Sequence, residues 1–507
     1  MPSMVDFDSG LFTIEYLVLT KKTLSMLRCF TLLFLLTAVT LLPAQTQLGN
    51  DILADSAPGR TGIGLGMSQD GNRLLVADDF YSPGNDIQIG SIQLWEWTGS
   101  AWVKAGAPVI GDNDFDKIGE TITLSADGSR FAYGIGGMGF SSGLVRAYTF
   151  LDGDWVQLGP DFVGESSGER LGTGVSLSAD GSYLAIGSAS NSFAATPANV
   201  TVYQWDGSTW TQRGGVITTP PDSPAFGTTV LLSDDGNRLI VNDNFSNSST
   251  ASVFTYDWNG TDWAAVGNVL TGKAGSDSFG TNLALSADGN RLVVGAYNYD
   301  SGDNNNDGFA EVYDWTAVGW VQVGTTLFGE DSQRLGSAVA LSDDGAVLAV
   351  GAEGDINTNG KVDLYTIAGG TLTLSATIEE TGGAFSGEGL GASAALSGAG
   401  TRLAVGEPDY IDDNLNSNSG RVRVFDTGLT ATTELPELTA SFYPNPTRGV
   451  LRLNDRAPAA WTVSDALGRV YRQQTSVAVS LAALPAGSYV VRAVRAEGQL
   501  VRVVLKE

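Results

Sequence analysis

A repeat governs what this chain can fold into. Phe279 to Gly295 reads FGTNLALSADGNRLVVG, two short stretches with Leu283, Leu285, Leu292 and Val294 at alternate positions around Ser286-Ala287-Asp288-Gly289. Alternation at period two is the pattern of a half-buried strand. In the turn an aspartate bonds its own backbone and a glycine accepts positive φ. The turn aspartate recurs at Asp70, Asp127, Asp180, Asp235, Asp288 and Asp344. A seventh copy has Ala399 in its place, so the spacings are 57, 53, 55, 53, 56 and 55 residues. An opening glycine keeps step at Gly62, Gly119, Gly172, Gly227, Gly280, Gly336 and Gly391. Self-similarity at a fixed period of about 40–50 residues marks solenoids and propellers.

Each period holds two more strands. A loop rich in Asp, Asn, Ser and Gly follows the hairpin, then a third strand such as Asn199 to Trp205. A tight Asp206-Gly207 or Asn259-Gly260 turn leads to a fourth, such as Trp320 to Gly324. Asp-Gly and Asn-Gly between strands are hairpin signals, and four antiparallel strands per period make a propeller blade. The pattern predicts an all-β chain whose residues 45–427 form a seven-bladed β-propeller. Repeat seven lacks a fourth strand, while Gln47-Leu48-Gly49-Asn50-Asp51-Ile52 matches Gln157-Leu158-Gly159-Pro160-Asp161-Phe162. Residues 46–53 are therefore expected to complete blade seven, hiding two sheet edges.

Composition removes several chemistries. There is no histidine, and Cys29 is the single cysteine. A chain without His lacks the commonest general base and transition-metal ligand. Beyond Cys29 it has no thiol nucleophile or thiolate metal site. Residues 45–439 carry 16 Lys+Arg against 49 Asp+Glu, whereas residues 440–507 carry 9 against 4. Such an acidic ring repels nucleic acid and anionic membrane; a solvated surface also explains it.

The ends read as something other than propeller. Lys21, Lys22 and Arg28 precede an apolar run from Phe30 to Leu42, and Pro43-Ala44 follows. This is the pattern of a secretory signal over residues 1–44, too short for a comfortable membrane span. Met26 gives such a signal a more usual start. Residues 428–440 lack the repeat and read as a linker. Residues 441–507 then read as a small Ig-like β-sandwich.

The last segment resembles the type A C-terminal sorting domain of the Bacteroidota type IX secretion system. The resemblance rests on Tyr443-Pro444-Asn445-Pro446 with Gly449, Asp465 with Leu467-Gly468-Arg469, and Leu484-Pro485-Ala486-Gly487-Ser488-Tyr489. It implies recognition by that secretion machinery, passage across the outer membrane after export to the periplasm, and a protein released or held at the cell surface. The repeats resemble the FG-GAP or integrin-α-like propeller repeats of secreted bacterial proteins, through Phe279-Gly280, Phe226-Gly227, Gly295-Ala296 and Gly351-Ala352. That family often carries a calcium loop between strands one and two, where this chain has only the tight Ser-x-Asp-Gly turn.

Two other loops have the residue types of calcium sites. Asp303, Asn305 and Asp307 alternate before Gly308, with Glu311 following; Asp355, Asn357 and Asn359 alternate before Gly360, with Asp363 following. Alternating oxygen ligands, a glycine bend and a late carboxylate suit calcium, and ordinary polar turns use the same residues. Tryptophans pair across the third turn: Trp97 with Trp102, Trp205 with Trp210, Trp258 with Trp263, Trp315 with Trp320. They read as cross-strand packing or as a stacking surface for sugars. No catalytic set stands out. The chain is thus expected to be a secreted or cell-surface binding or adhesion protein, without catalysis. Its unknown ligand, a protein or polysaccharide, would sit on the loop face. The alternatives are a secreted carbohydrate-active enzyme and a structural surface-layer protein.

Overall fold

The structure, a computed structural model, describes residues 45–54, 58–137, 141–190, 197–218, 225–244, 250–274, 277–300, 302, 306–330, 332–354, 358–379, 388–412, 417–429, 442–443, 450–453, 459–464, 470–476, 478–495 and 498–506. Met1–Pro43, a separate unit, and residues 430–440 of the linker lie outside them. Among the described residues there is no helix.

Seven antiparallel sheets form a β-propeller. From the inner strand outward, blade one is Gly64–Met67, Arg73–Asp78, Ser91–Trp97 and Trp102–Ile110. Blade five is Asn282–Leu285, Arg291–Ala296, Phe309–Thr316 and Gly319–Phe328. Blade seven takes three strands from its own repeat, Ser393–Leu396, Arg402–Glu407 and Arg421–Asp426. The N-terminal segment supplies the fourth: Gln47 pairs with Phe425 and Ile52 with Val422.

In four of the seven blades the fourth strand is in two pieces. In blade two it is split into Asp154–Gln157 and Phe162–Val163, and blades three, four and seven are split likewise. The break falls at Gly49, Gly159, Gly214 and Gly267, all with positive φ. A β-carbon on Gly159 would lie 2.9 Å from the Trp210 ring of the next blade, and one on Gly267 2.4 Å from Trp315. The bulge makes room for the neighbour's tryptophan.

Three kinds of contact tie neighbouring blades, the first of them at every boundary. At the hairpin turns, the Ser hydroxyl donates to the turn aspartate, as from Ser286 to Asp288 at 2.7 Å, and accepts the Arg291 N–H at 2.8 Å. The residue between Ser and Asp then bonds sideways. Gln69 N–H donates to the Ala126 carbonyl, Ala126 to Ala179, Ala179 to Asp234, Asp234 to Ala287, Ala287 to Asp343, Asp343 to Gly398, and Gly398 back to Gln69. Arginines reinforce this cycle from the start of strand two. Arg238 reaches the Gly289 carbonyl at 2.8 Å and Arg291 that of Gly345 at 2.7 Å. In blade three Tyr183 holds the arginine's place, and Arg213 bonds the Gly236 carbonyl instead, stacked 4.0 Å from the Tyr183 ring.

Farther along strand two, glycine meets glycine. A β-carbon on Gly187 would lie 1.9 Å from the Gly227 carbonyl, and one on Gly295 2.4 Å from that of Gly336. Toward the outside, the tryptophans do the tying. Each pair is directly opposed across its hairpin, as Trp315 and Trp320 are, with ring centroids 5.0 Å apart. The second member turns inward and donates to the preceding blade: Trp210 to Leu158 O, Trp263 to Arg213 O, Trp320 to Thr255 Oγ1. Packing, not a sugar platform, is what these buried rings do. The core accordingly lies between blades, as where Val200 and Val202 of blade three meet Phe226 and Val230 of blade four.

The C-terminal strands form two sheets, one of three strands from Phe442–Tyr443 and one of four ending at Gly498–Lys506. They share a core of Leu451 and Val479 against Trp461, Val463, Tyr489 and Val491. Of the sorting-domain motifs, Leu484 to Tyr489 is described, and the Tyr489 hydroxyl donates to Pro485 O at 2.9 Å. Residues 444–449 and 465–469 lie outside the described residues.

Candidate binding site at the channel mouth

The inner strands line an axial channel of about 440 Å³. Its wall carries Thr121, Thr173, Thr228, Thr229, Thr281, Asn282 and Ser393 among apolar residues, and among the described residues Glu120 is its only charged side chain. Most of these polar groups serve the ring itself. Thr229 donates to Thr281 O at 2.8 Å and Asn282 to Gly336 O at 3.1 Å, both across a blade boundary.

The mouth at the start of the inner strands is different. One repeat position, two residues before the opening glycine, holds Arg60, Lys117, Arg170 and Arg334 in blades one, two, three and six. Each reaches a residue just after strand two of its own or the preceding blade. Arg60 lies 3.4 Å from Asp79, 3.5 Å from Asp409 and over the Phe80 ring. The Lys117 ammonium covers Phe80 at 4.8 Å. Arg170 bonds Gly137 O at 3.1 Å. Arg334 pairs with Glu353 and lies over Tyr297. Cations over aromatic faces hold the rings flat and are themselves held.

Asp79 is the unusual member. It is fully buried, and Oδ1 has no partner among the described residues. Burial first, opposed by Arg60 and aided by Glu120 and Asp78, pushes its carboxyl up to about 6. Asp78 beside it anchors the rim backbone, accepting from Arg60 N at 2.8 Å and Thr61 Oγ1 at 3.0 Å. The four rim cations are spelled as Arg/Lys, one intervening residue and Gly, a signal visible in the repeat.

The calcium loops fare differently. Asp303, Asn305, Asp355 and Asn357 lie outside the described residues. Asp307 is buried and its carbonyl accepts Leu335 N–H at 2.9 Å; Asn359 is exposed. Glu311 sits inside the third strand and already holds Lys273 at 2.6 Å and Thr326 Oγ1 at 2.6 Å. Burial would raise its pKa, but Lys273, Thr326 and Tyr313 outweigh that and hold it low. Asp363, at the same place in blade six, holds Lys361 at 3.2 Å and Thr377 at 2.7 Å. Among the described residues no group of three carboxylates stands ready for a metal.

No family model and no curated protein matches the chain. Among solved structures it is similar to that of U3-55K, with a TM-score of 0.48 and 14% identity over 75% of this chain and 100% of that one. It is also similar to Kuenenia stuttgartiensis hydrazine synthase, with a TM-score of 0.45 and 14% identity over 69% of this chain and 93% of that one.

Proposed function

We propose that this propeller is a non-catalytic binding or adhesion protein working outside the cell, with its ligand seated over the channel mouth. The observation that carries the reading is the repeated rim cation, half-buried and held by aromatic rings, carboxylates or, for Arg170, a main-chain carbonyl. Such a mixed, rigid set of donors, acceptors and ring faces suits recognition of a polar surface, protein or polysaccharide. Export through the type IX secretion system is part of the proposal and rests on the signal pattern and the sorting-domain resemblance.

One observation favours the enzyme reading: Asp79, a carboxyl poised near neutrality beside Glu120, is what acid–base chemistry uses. Its complete burial keeps it from substrate, so binding remains the better reading. The test is a panel of immobilised polysaccharides and surface proteins probed with the purified full chain. Arg60→Ala and Arg334→Ala should each weaken capture by roughly tenfold. Turnover of a polysaccharide that survives purification would overturn the proposal. For export, deleting residues 441–507 should leave a folded ring in the periplasm; equal surface display with and without them would refute that part.

A further inference from the structure

Left-handed backbone is cheap for glycine and costly for a bulky side chain. The connections between blades place one residue in it just before the loop's capping side chain. In two of them that residue is Gly168 (φ 81) and Ser332 (φ 61). Between blades one and two it is Phe115 (φ 65), and its ring is not tucked away: Phe115 is 61% exposed.

The strain is held rather than relaxed. Phe115 N–H donates to Ile87 O at 2.8 Å, and Ile87 N–H to Asp114 Oδ1 at 2.8 Å. Asp116 caps the loop by accepting Asp112 N–H at 3.0 Å and Asn113 N–H at 2.8 Å. Lys117 N–H bonds Gln88 O at 3.1 Å. Two loops are thus laced into one platform that offers Phe115 and Ile87, itself 47% exposed. Backbone held in a sparsely populated region without a packing reward is a mark of function.

Charge narrows the occupant. Asp86, Asp112, Asp114 and Asp116 flank the two apolar side chains in the sequence. Arg146 pairs with Asp112 at 2.6 Å and Lys117 is turned onto Phe80, which leaves Asp86, Asp114 and Asp116 without an ion pair among the described residues. We propose that Phe115 and Ile87 form a docking knob for a protein partner whose apolar pocket is rimmed by lysine or arginine. Complementary charge would steer the encounter, and the ring would supply the anchor. The knob is independent of the ligand proposed for the channel mouth.

The probe is a synthetic peptide of alternating leucine and lysine, titrated calorimetrically into the full chain at low and physiological salt. Phe115→Ser, the residue of the equivalent place in blade six, should weaken binding by roughly tenfold or more. Phe115→Gly, the residue of the equivalent place in blade three, should melt at or above the wild-type temperature, because only loss of the β-carbon relieves the strain. Ile87→Ser should weaken binding without raising the melting temperature, and Arg60→Ala should leave it unchanged. Equal peptide affinity for wild type and Phe115→Ser would overturn the proposal, as would a lower melting temperature for Phe115→Gly. Self-association of the wild type that Phe115→Ser abolishes would assign the knob to a second copy and overturn the basic partner.

Discussion

At the scale of single residues, the acids of the ring fall into two sets with opposite effects on stability. Asp79 is raised to about 6, by burial first, and Asp78 and Glu353 are raised for the same reason. A carboxyl whose folded pKa lies above its unfolded value contributes stability at low pH and loses it as pH rises through the folded pKa. The turn aspartates Asp70, Asp127, Asp180 and Asp235 are lowered, since hydrogen bonds from the turn outweigh burial. Their contribution is lost as pH falls through the acid range. The melting temperature should therefore peak near pH 4, with Asp79→Asn flattening the decline between about pH 4 and about pH 6. A variant that follows the wild-type profile at every pH would show that Asp79 does not titrate there. Crowding makes a second prediction. Gly187→Ala drives a β-carbon against the Gly227 carbonyl, and overpacking of this kind costs about 1–3 kcal/mol; denaturant unfolding measures it.

At the scale of elements, the tryptophan hairpins offer a matched pair. Trp320 donates to the buried Thr255 hydroxyl, whereas the Trp102 indole N–H has no partner among the described residues. Trp320→Phe leaves Thr255 unsatisfied and should cost about 1–3 kcal/mol; Trp102→Phe should cost distinctly less in the same unfolding experiment. The third strands make the calcium question concrete. Glu311 and Asp363 already spend their oxygens on Lys273 and Lys361, so an ion would have to displace a lysine. Millimolar calcium is expected to shift the melting temperature by less than about 1 °C relative to EDTA. A larger shift that Asp307→Ala removes would place an ion in that loop. The hairpins and the blade count were legible because period, opening glycine and alternation agree in all seven copies and the turn aspartate in six, and the closing strand because residues 47–52 match residues 157–162. The cycle of turn hydrogen bonds was not. It runs through Gln69, Ala126, Ala179, Asp234, Ala287, Asp343 and Gly398, and a contact made by main chain asks for no particular side chain. Nor could spacing show that Glu311 lies within a strand, facing Lys273 from the preceding connection. The rim cations were readable as residues, but their partners come from loops tens of positions away.

At the scale of the whole molecule, the ring depends on a segment far from it in sequence. Residues 46–53 complete blade seven, and Gly49 backs the Trp97 and Trp102 rings of blade one. A chain lacking residues 45–53 should expose the Arg421–Asp426 edge, melt at lower temperature and self-associate, as open strand edges do. Light scattering with thermal unfolding tests this, and a monomer of unchanged stability would count against it. The turn hydrogen bonds have a mechanical meaning as well. All seven donors point the same way round, so the set is a hoop with no first link, and linked bonds of this kind strengthen one another. A hoop resists widening as a whole; one sector cannot stretch while the others stay slack. The bore is therefore of fixed calibre, and a molecule arriving at the far mouth must be fitted by side chains at the rim, because the staves of this barrel cannot spread to admit it.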